Sequence, residues 1–304
     1  MNEKLKITLV FSMICFIWGS TWLAIRVGLE SLTPLYSSGF RFILASLLIF
    51  LWMRFKKINL QKDKISIRFY IIMGLFTFVI PFALIYWAEQ FVPSGLAAVL
   101  FAVYPFFVVL FSYFLIPSET IGYLKLIGVV IGFAGILVIF SDDLGGNITS
   151  YILGMSAIVL GGFLQAGIAV LIKKYGQHLN PLTMNFVPMI IAGFALLTLG
   201  FFFEDFSTLN FNSESVLSII YLASFGSIVT FTSYFWLLKR VNVILLSLMA
   251  FITPIVALIL GWLTYNEQLT VNHFWGSLLV LTGLLWANLK SISKLKKRSL
   301  IKPA

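Results

Sequence analysis

The sequence predicts an all-α integral membrane protein, with ten transmembrane helices in two inverted five-helix repeats and both termini cytoplasmic. Three observations lead to this class. Of 304 residues, 60% are hydrophobic and 11% charged, with a mean hydropathy of +1.02, whereas soluble domains carry about 25% charged residues. The apolar residues fall in continuous runs of about 20, the length that crosses a hydrocarbon core as a helix. The second half of the chain also repeats the first in order. So few charges cannot cover the surface of a soluble fold of this size, which excludes an ordinary cytosolic enzyme. The single Cys15 excludes an internally bridged secreted scaffold.

The spans are expected at 5–25, 34–53, 69–88, 95–115, 123–140, 151–172, 182–203, 216–238, 243–263 and 274–289. The first follows Lys4 and Lys6 like a signal peptide, but no small-x-small cleavage site follows it. Trp18, Trp22 and Arg26 fit a retained span. The second starts at Pro34 and carries Arg41; the third carries Pro81 and ends on Tyr86–Trp87; the fourth carries Tyr104–Pro105 at its middle. The fifth holds Gly128, Gly132 and Gly135, a small-xxx-small pattern suited to close helix packing. The sixth holds Gln165 and ends at Lys173–Lys174, and the seventh follows Asn180–Pro181 and contains Pro188. The eighth ends after Tyr234 and Trp236, the ninth carries Thr253–Pro254, and the tenth carries Gly276 and Gly283. Continuous apolar runs, in place of short alternating ones, exclude a β-barrel.

The net charge of +10 is unevenly placed. With the N-terminus inside, 19 of the 21 basic residues fall in inner segments, among them Arg54, Lys56, Lys57, Lys62, Lys64 and Arg68. The outer loops hold Asp142–Asp143, Glu204–Asp205 and Glu214. This positive-inside pattern sets the orientation and argues against nucleic-acid binding. The basic tail, 291–304, is expected to sit against anionic lipid headgroups.

The internal repeat divides the chain into 1–145 and 146–290. Phe101–Ala102–Val103–Tyr104–Pro105 matches Ala250–Phe251–Ile252–Thr253–Pro254, and Tyr86–Trp87 matches Phe235–Trp236. Glu119 follows Pro105 as Glu267 follows Pro254, and the spacing from there to Gly128 and Gly135, or to Gly276 and Gly283, is the same. Leu32–Thr33–Pro34–Leu35 matches Leu179–Asn180–Pro181–Leu182. An odd number of spans per copy makes the second copy enter from the opposite side. Inverted repeats of this kind are a mark of secondary transporters, whose halves exchange conformations around one fixed site.

These residues resemble the drug/metabolite transporter superfamily and its ten-helix EamA-type members. The likeness rests on Trp18–Gly19–Ser20–Thr21–Trp22, Arg41–Phe42–Ile43–Leu44–Ala45, Tyr86–Trp87–Ala88, and the Tyr104–Pro105 and Thr253–Pro254 segments with their trailing Glu and glycines. It covers about 7–289. The resemblance implies export or exchange of small metabolites, amino acids or drugs across a bacterial-type plasma membrane. It also implies that the fifth and tenth helices pack outside the others.

Candidate substrate-binding residues are Trp18, Trp22, Arg41, Tyr86, Trp87, Tyr104, Gln165, Tyr234 and Thr253. Trp18 and Tyr104 are too deep for the interfacial aromatic belt. A cavity lined by aromatics and a few polar groups suits amphipathic solutes or cations. Arg41 lies well inside a span, where a charge needs a partner or water; it fits an anionic group of a substrate, pairing with Glu89 or Tyr hydroxyls, or snorkelling outward. Pro105 and Pro254 remove a backbone hydrogen bond and are candidate hinges, while Pro81 and Pro188 read as simple kinks. Glu89 fits either a proton-coupling carboxyl raised by burial or an interfacial acid. Glu119 and Glu267 place negative charge at the start of the helices that follow them.

No G-x-x-x-x-G-K-[ST] occurs, which excludes a P-loop ATPase. One cysteine and two histidines are too few for a zinc cage, and no cofactor is expected. A secondary transporter of a small-molecule substrate, alternating between inward and outward forms and exporting its cargo, is the leading class. The alternatives are a membrane-embedded enzyme or a channel, for which charged rings or a filter-like loop are missing.

Overall fold

The computed structural model describes residues 3–115, 123–141, 148–176, 178–238 and 249–300. The expected positions Glu119, Asp142 and Asp143 lie outside that set. The described residues form helices joined by short turns, with no strand among them. In chain order these are α1 (Glu3–Leu29), α2 (Pro34–Phe55), α3 (Lys64–Ala88), α4 (Ser94–Leu115), α5 (Tyr123–Phe140), α6 (Ile148–Tyr175), α7 (Pro181–Phe203), α8 (Ser213–Leu238), α9 (Met249–Tyr265) and α10 (Val271–Leu300). Among the described residues, 7 helices are long and apolar enough to cross a membrane, and shorter apolar helices cover Leu126–Phe140, Ile252–Tyr265 and Val271–Trp286.

Helix starts follow local chemistry. Pro34 and Pro181 open α2 and α7, where a missing N–H costs nothing. The Asp63, Asn180 and Asn212 side chains cap α3, α7 and α8 by accepting from Ser66 N, Leu182 N and Ser215 N. The exposed Asp63 carboxyl is held below its usual range, chiefly by the Ser66 hydroxyl and then by the Ser66 amide.

Three irregularities matter for function. α3 is π-helical over Gly74–Val79, and α8 is π-helical over Ser224–Val229. Such segments are rare and free backbone carbonyls to other partners. α4 is interrupted at Ala102 and Val103, between Ser94–Phe101 and Tyr104–Leu115, with Pro105 at the start of the second piece. Its ring excludes the hydrogen bond that would have continued the helix. Pro254 by contrast lies within the unbroken α9.

The helices pair across the two halves of the chain. α2 runs along α7 and α5 along α10; α1 meets α8 and α9, while α6 meets α3 and α4. Advancing every helix by five places maps these neighbours onto one another. Glycines allow the closest approaches: a Cβ on Gly283 would lie 2.5 Å from Gly128 O, and one on Gly135 2.6 Å from Gly276 O. The α2–α7 contact is similar, because a Cβ on Gly39 would strike Leu197 and one on Gly193 would strike Ile43. Aromatic and aliphatic side chains, chiefly from α3, α4 and α6, fill the largest buried cluster, joined by others from α1, α5, α8, α9 and α10.

Candidate functional site

Arg41 stands at the meeting of α1, α2, α3 and α8, and only 3% of its surface is exposed. Its Nε donates to Ser227 Oγ at 3.4 Å and its Nη1 to Tyr86 OH at 3.2 Å. The guanidinium also lies over Phe82 and Phe42, at 5.0 and 5.4 Å from the ring centroids. Of the alternatives open from sequence, the tyrosine hydroxyl is the partner present; Glu89 makes no ion pair with it among the described residues. Ser227 belongs to the π-helical part of α8 and donates its own hydroxyl to Leu222 O. Thr230 Oγ1 donates to Gly226 O in the same segment. Both hydroxyls thus bond back to carbonyls of the same helix, five and four residues earlier. Gly226 lets the turn approach its neighbours: a Cβ there would lie 2.8 Å from Thr21 Cγ2 and 3.6 Å from Arg41 Nη2.

An aromatic run leads away from the guanidinium. Phe82 stacks beside Phe78 at 6.1 Å, Phe78 meets Phe231 at 6.3 Å, and Phe231 meets Trp18 at 5.8 Å. Trp18 then meets Tyr234 at 5.6 Å. The structure therefore connects Trp18, Arg41, Tyr86 and Tyr234 of the expected set. Trp22, Phe101 and Tyr104 form a second group at the interruption of α4, with centroid distances of 5.5 and 5.9 Å. Gln165 spends its amide on Thr77 O, at 3.1 Å, in the π-helical part of α3. That carbonyl is the one Pro81 leaves without a donor four residues on, so Pro81 does more than bend the helix. Pro188 sits inside α7. Thr253 is half-buried on α9, and its carbonyl faces Gly19, where a Cβ would come within 2.9 Å. Trp87 is not brought to this group: it is 36% exposed and packs on Phe91.

A second polar cluster lies at the expected outer ends of the helices. Glu89 caps the end of α3, just past the span, and is fully buried. Its carbonyl accepts from Arg26 Nη1, while neither carboxyl oxygen has a hydrogen-bond partner among the described residues. Burial first, then the Glu267 carboxylate, push the Glu89 carboxyl well above the usual range; Arg26 and Arg41 act in the opposite sense. Glu267 receives Ser94 N, Ser94 Oγ and Gly95 N at 2.8, 2.8 and 3.0 Å. The expected negative charge at a helix start is thus found at α4, from across the fold, and not at the helix that follows Glu267. Glu204 does the same for α2, accepting from Thr33 Oγ1, Leu35 N and Tyr36 N. Gln61 is the neutral counterpart at α7, accepting from Asn180 N. Tyr265 donates to Glu30 close by.

Sequence reading missed Ser227, Gly226, Phe82 and the π-helical turns. The signal for the turn was the cluster Ser224, Ser227, Thr230 in an apolar run; Phe82 was hidden among 31 phenylalanines. A surface groove of about 460 Å³, lined by Leu258, Trp262, Glu267, Gln268 and Leu269, contains none of the aromatic candidates. No group of three or more His, Cys, Asp or Glu able to hold a metal occurs among the described residues.

Comparison with known proteins gives this arrangement its context. The model of the EamA-like transporter family matches twice, at residues 5–141 and 152–289. The uncharacterized transporter YoaV of Bacillus subtilis is 31% identical over 92% of this chain and 95% of its own length. Protein PagO of Salmonella typhimurium is 30% identical over 89% of this chain and 88% of its own. The uncharacterized inner membrane transporter YedA of Escherichia coli K12 is 33% identical over 81% and 78%. One crystal structure shares the fold, with a TM-score of 0.69 at 18% identity, covering 94% of this chain and 98% of that one. The chain is a multi-pass membrane protein and belongs to the EamA-like transporter family.

Proposed function

We propose that the protein is a secondary transporter that moves a small solute across the plasma membrane by alternating access, with ten spans, cytoplasmic termini and export as its direction. The observation that carries this reading is the Arg41 site: a buried polar centre held between side chains of the first and second halves, Tyr86 and Ser227. The neighbour pattern that survives exchange of the halves, and the two separate family matches, support an inverted repeat over 1–145 and 146–290. The Lys and Arg distribution supports the orientation.

In this reading the outer ends are closed in the conformation described. Ser31 Oγ donates to Asn212 Oδ1, Asn210 N donates to Ser31 O, and Glu204 ties α7 to the start of α2. Opening requires these contacts to part while the α4 interruption at Pro105 takes up the change in angle. Trp18, Trp22, Tyr104 and Tyr234 line the solute's path, and Glu89 is the coupling carboxyl.

Counterflow in liposomes tests the proposal, using the purified protein and a panel of labelled carboxylates, amides, amines and purines. Saturable exchange without ATP is expected, weakened by Trp18→Ala and Tyr104→Ala with membrane expression intact. Unsaturable flux would instead indicate a channel, and chemical conversion of a solute an enzyme.

A further inference from the structure

Arg41 is a cation inside an expected span, with only neutral partners among the described residues. Its hydrogen bonds go to a tyrosine and a serine hydroxyl, and aromatic faces flank it. Among the described residues no carboxylate lies within ion-pair distance of it. Neutral hydrogen bonds and ring faces soften a buried charge but do not cancel it, and buried charges are ordinarily paired. Structural glue between the halves would need only a neutral donor, which an asparagine or glutamine supplies more cheaply at this depth. The guanidinium also keeps unused donors: Nε and Nη1 are engaged, whereas Nη2, which lies 3.6 Å from the Cβ position that Gly226 leaves empty, makes no hydrogen bond among the described residues.

We propose that Arg41, assisted by Tyr86 OH and Ser227 Oγ, is the subsite for a carboxylate on the transported solute, and that the aromatic run beginning at Phe82 receives the solute's apolar body. The proposal rests on the transporter reading for its cargo sense, but the binding site itself does not. A carboxylate matches the planar fork of a guanidinium and supplies the missing negative charge. Phe82, Phe78, Phe231 and Trp18, linked at 6.1, 6.3 and 5.8 Å, continue from the cation as an apolar wall. Charged head and apolar body are thus read by adjacent parts of one site. Only the first half supplies the cation: in the register that aligns Pro34 with Pro181, Arg41 corresponds to Pro188. Because Ser227 comes from α8 and Tyr86 from α3, a carboxylate bound there touches both halves, and its binding energy differs between conformations that hold Ser227 near and those that do not.

The test pairs solutes that differ only in charge. 3-Phenylpropionate, its amide and 3-phenylpropylamine are titrated against wild-type protein in detergent by thermal shift, and the same solutes are used for liposome counterflow. Sodium chloride and inorganic phosphate are parallel arms. The carboxylate alone is expected to raise the melting temperature and to exchange. Arg41→Gln should raise its half-saturating concentration by about tenfold or more, Arg41→Lys should recover part of the loss, and Arg54→Gln, on an exposed residue, should change nothing. If Arg41→Gln fails to fold, Ser227→Ala and Tyr86→Phe each remove one hydroxyl and are expected to weaken carboxylate binding selectively. Equal response to amide or amine, carboxylate binding indifferent to all these variants, a shift given by chloride or phosphate but not the carboxylate, or no shift with any solute would each overturn the proposal. Carboxylate binding without exchange would leave the subsite standing and sink the transport reading; exchange of the amide without carboxylate binding would do the reverse.

Discussion

Arg41 and Glu89 show how differently two buried ionisable side chains are treated in one protein. Arg41 is tied to Tyr86 and Ser227 and wrapped by Phe82 and Phe42. The Glu89 carboxyl is equally buried but has no hydrogen-bond partner for either oxygen among the described residues, so burial favours its neutral form. The sign of the stability effect follows. Its native pKa is raised, so the native state holds the proton longer than the unfolded chain. This contribution to stability is full below the ordinary value of 4.5 and is lost as pH rises through the raised native value. Glu89→Gln removes that loss. The melting temperature of the variant relative to wild type is therefore expected to increase from pH 5 to pH 8, and a constant difference would contradict the assignment. For transport, Glu89→Gln should abolish accumulation driven by a pH gradient while leaving counterflow, which needs no net proton movement, largely intact.

At the scale of elements, glycine contacts and helix starts carry the most informative tests. Gly283 and Gly276 on α10 meet the backbone of α5, where an added Cβ would lie 2.5 Å from Gly128 O and 2.7 Å from Gly135 O. Backbone cannot step aside as a side-chain tip can. Gly283→Leu is expected to destabilise the α5–α10 pair by at least about 1–3 kcal/mol, read as loss of monodisperse protein on gel filtration. Glu267 binds the amides of Ser94 and Gly95 at the start of α4. Glu267→Ala should cost about 0.5–2 kcal/mol as a lost helix cap, visible as a lower melting temperature, whereas Glu267→Gln retains one acceptor and should lose less. In the π-helical turn of α8 the Ser227 and Thr230 hydroxyls bond back to Leu222 O and Gly226 O, and Ser227 also accepts from Arg41, which links that turn to the Arg41 site.

At the scale of the whole molecule, the proposed alternating access makes contacts between the halves decide which side is open. The helix ends expected to face outward are joined through Ser31 with Asn212 and through Glu204 with the start of α2. In a Cys15→Ser background, Ser31→Cys combined with Asn212→Cys should form a disulfide under oxidation that stops exchange, with dithiothreitol restoring it. Undiminished exchange by the cross-linked protein would contradict alternating access through this face. Salt should affect these contacts little, because the Ser31 bridge is neutral and the Glu204 bonds end on backbone and hydroxyl donors.

Sequence alone determined the class of the molecule. Spans are legible because lipid demands about 20 consecutive apolar residues in a helix, and the expected repeat is legible because Pro105 and Pro254 recur in order and the glycines trailing Glu119 and Glu267 keep their spacing. Arg41 was conspicuous for the same reason: a charge stands out in an apolar run. What only the tertiary structure decided is who meets whom. Tyr86 was a candidate by itself, but its bond to Arg41 depends on how α3 lies against α2. Ser227 was one hydroxyl among many until the widened turn of α8 aimed it at the guanidinium. Trp87, adjacent to Tyr86 in the chain, points away and packs on Phe91, because successive residues of a helix face different directions. Periodicity and composition are local properties of the chain. A binding site is a relation between helices, set by glycine-limited packing distances that no single segment contains.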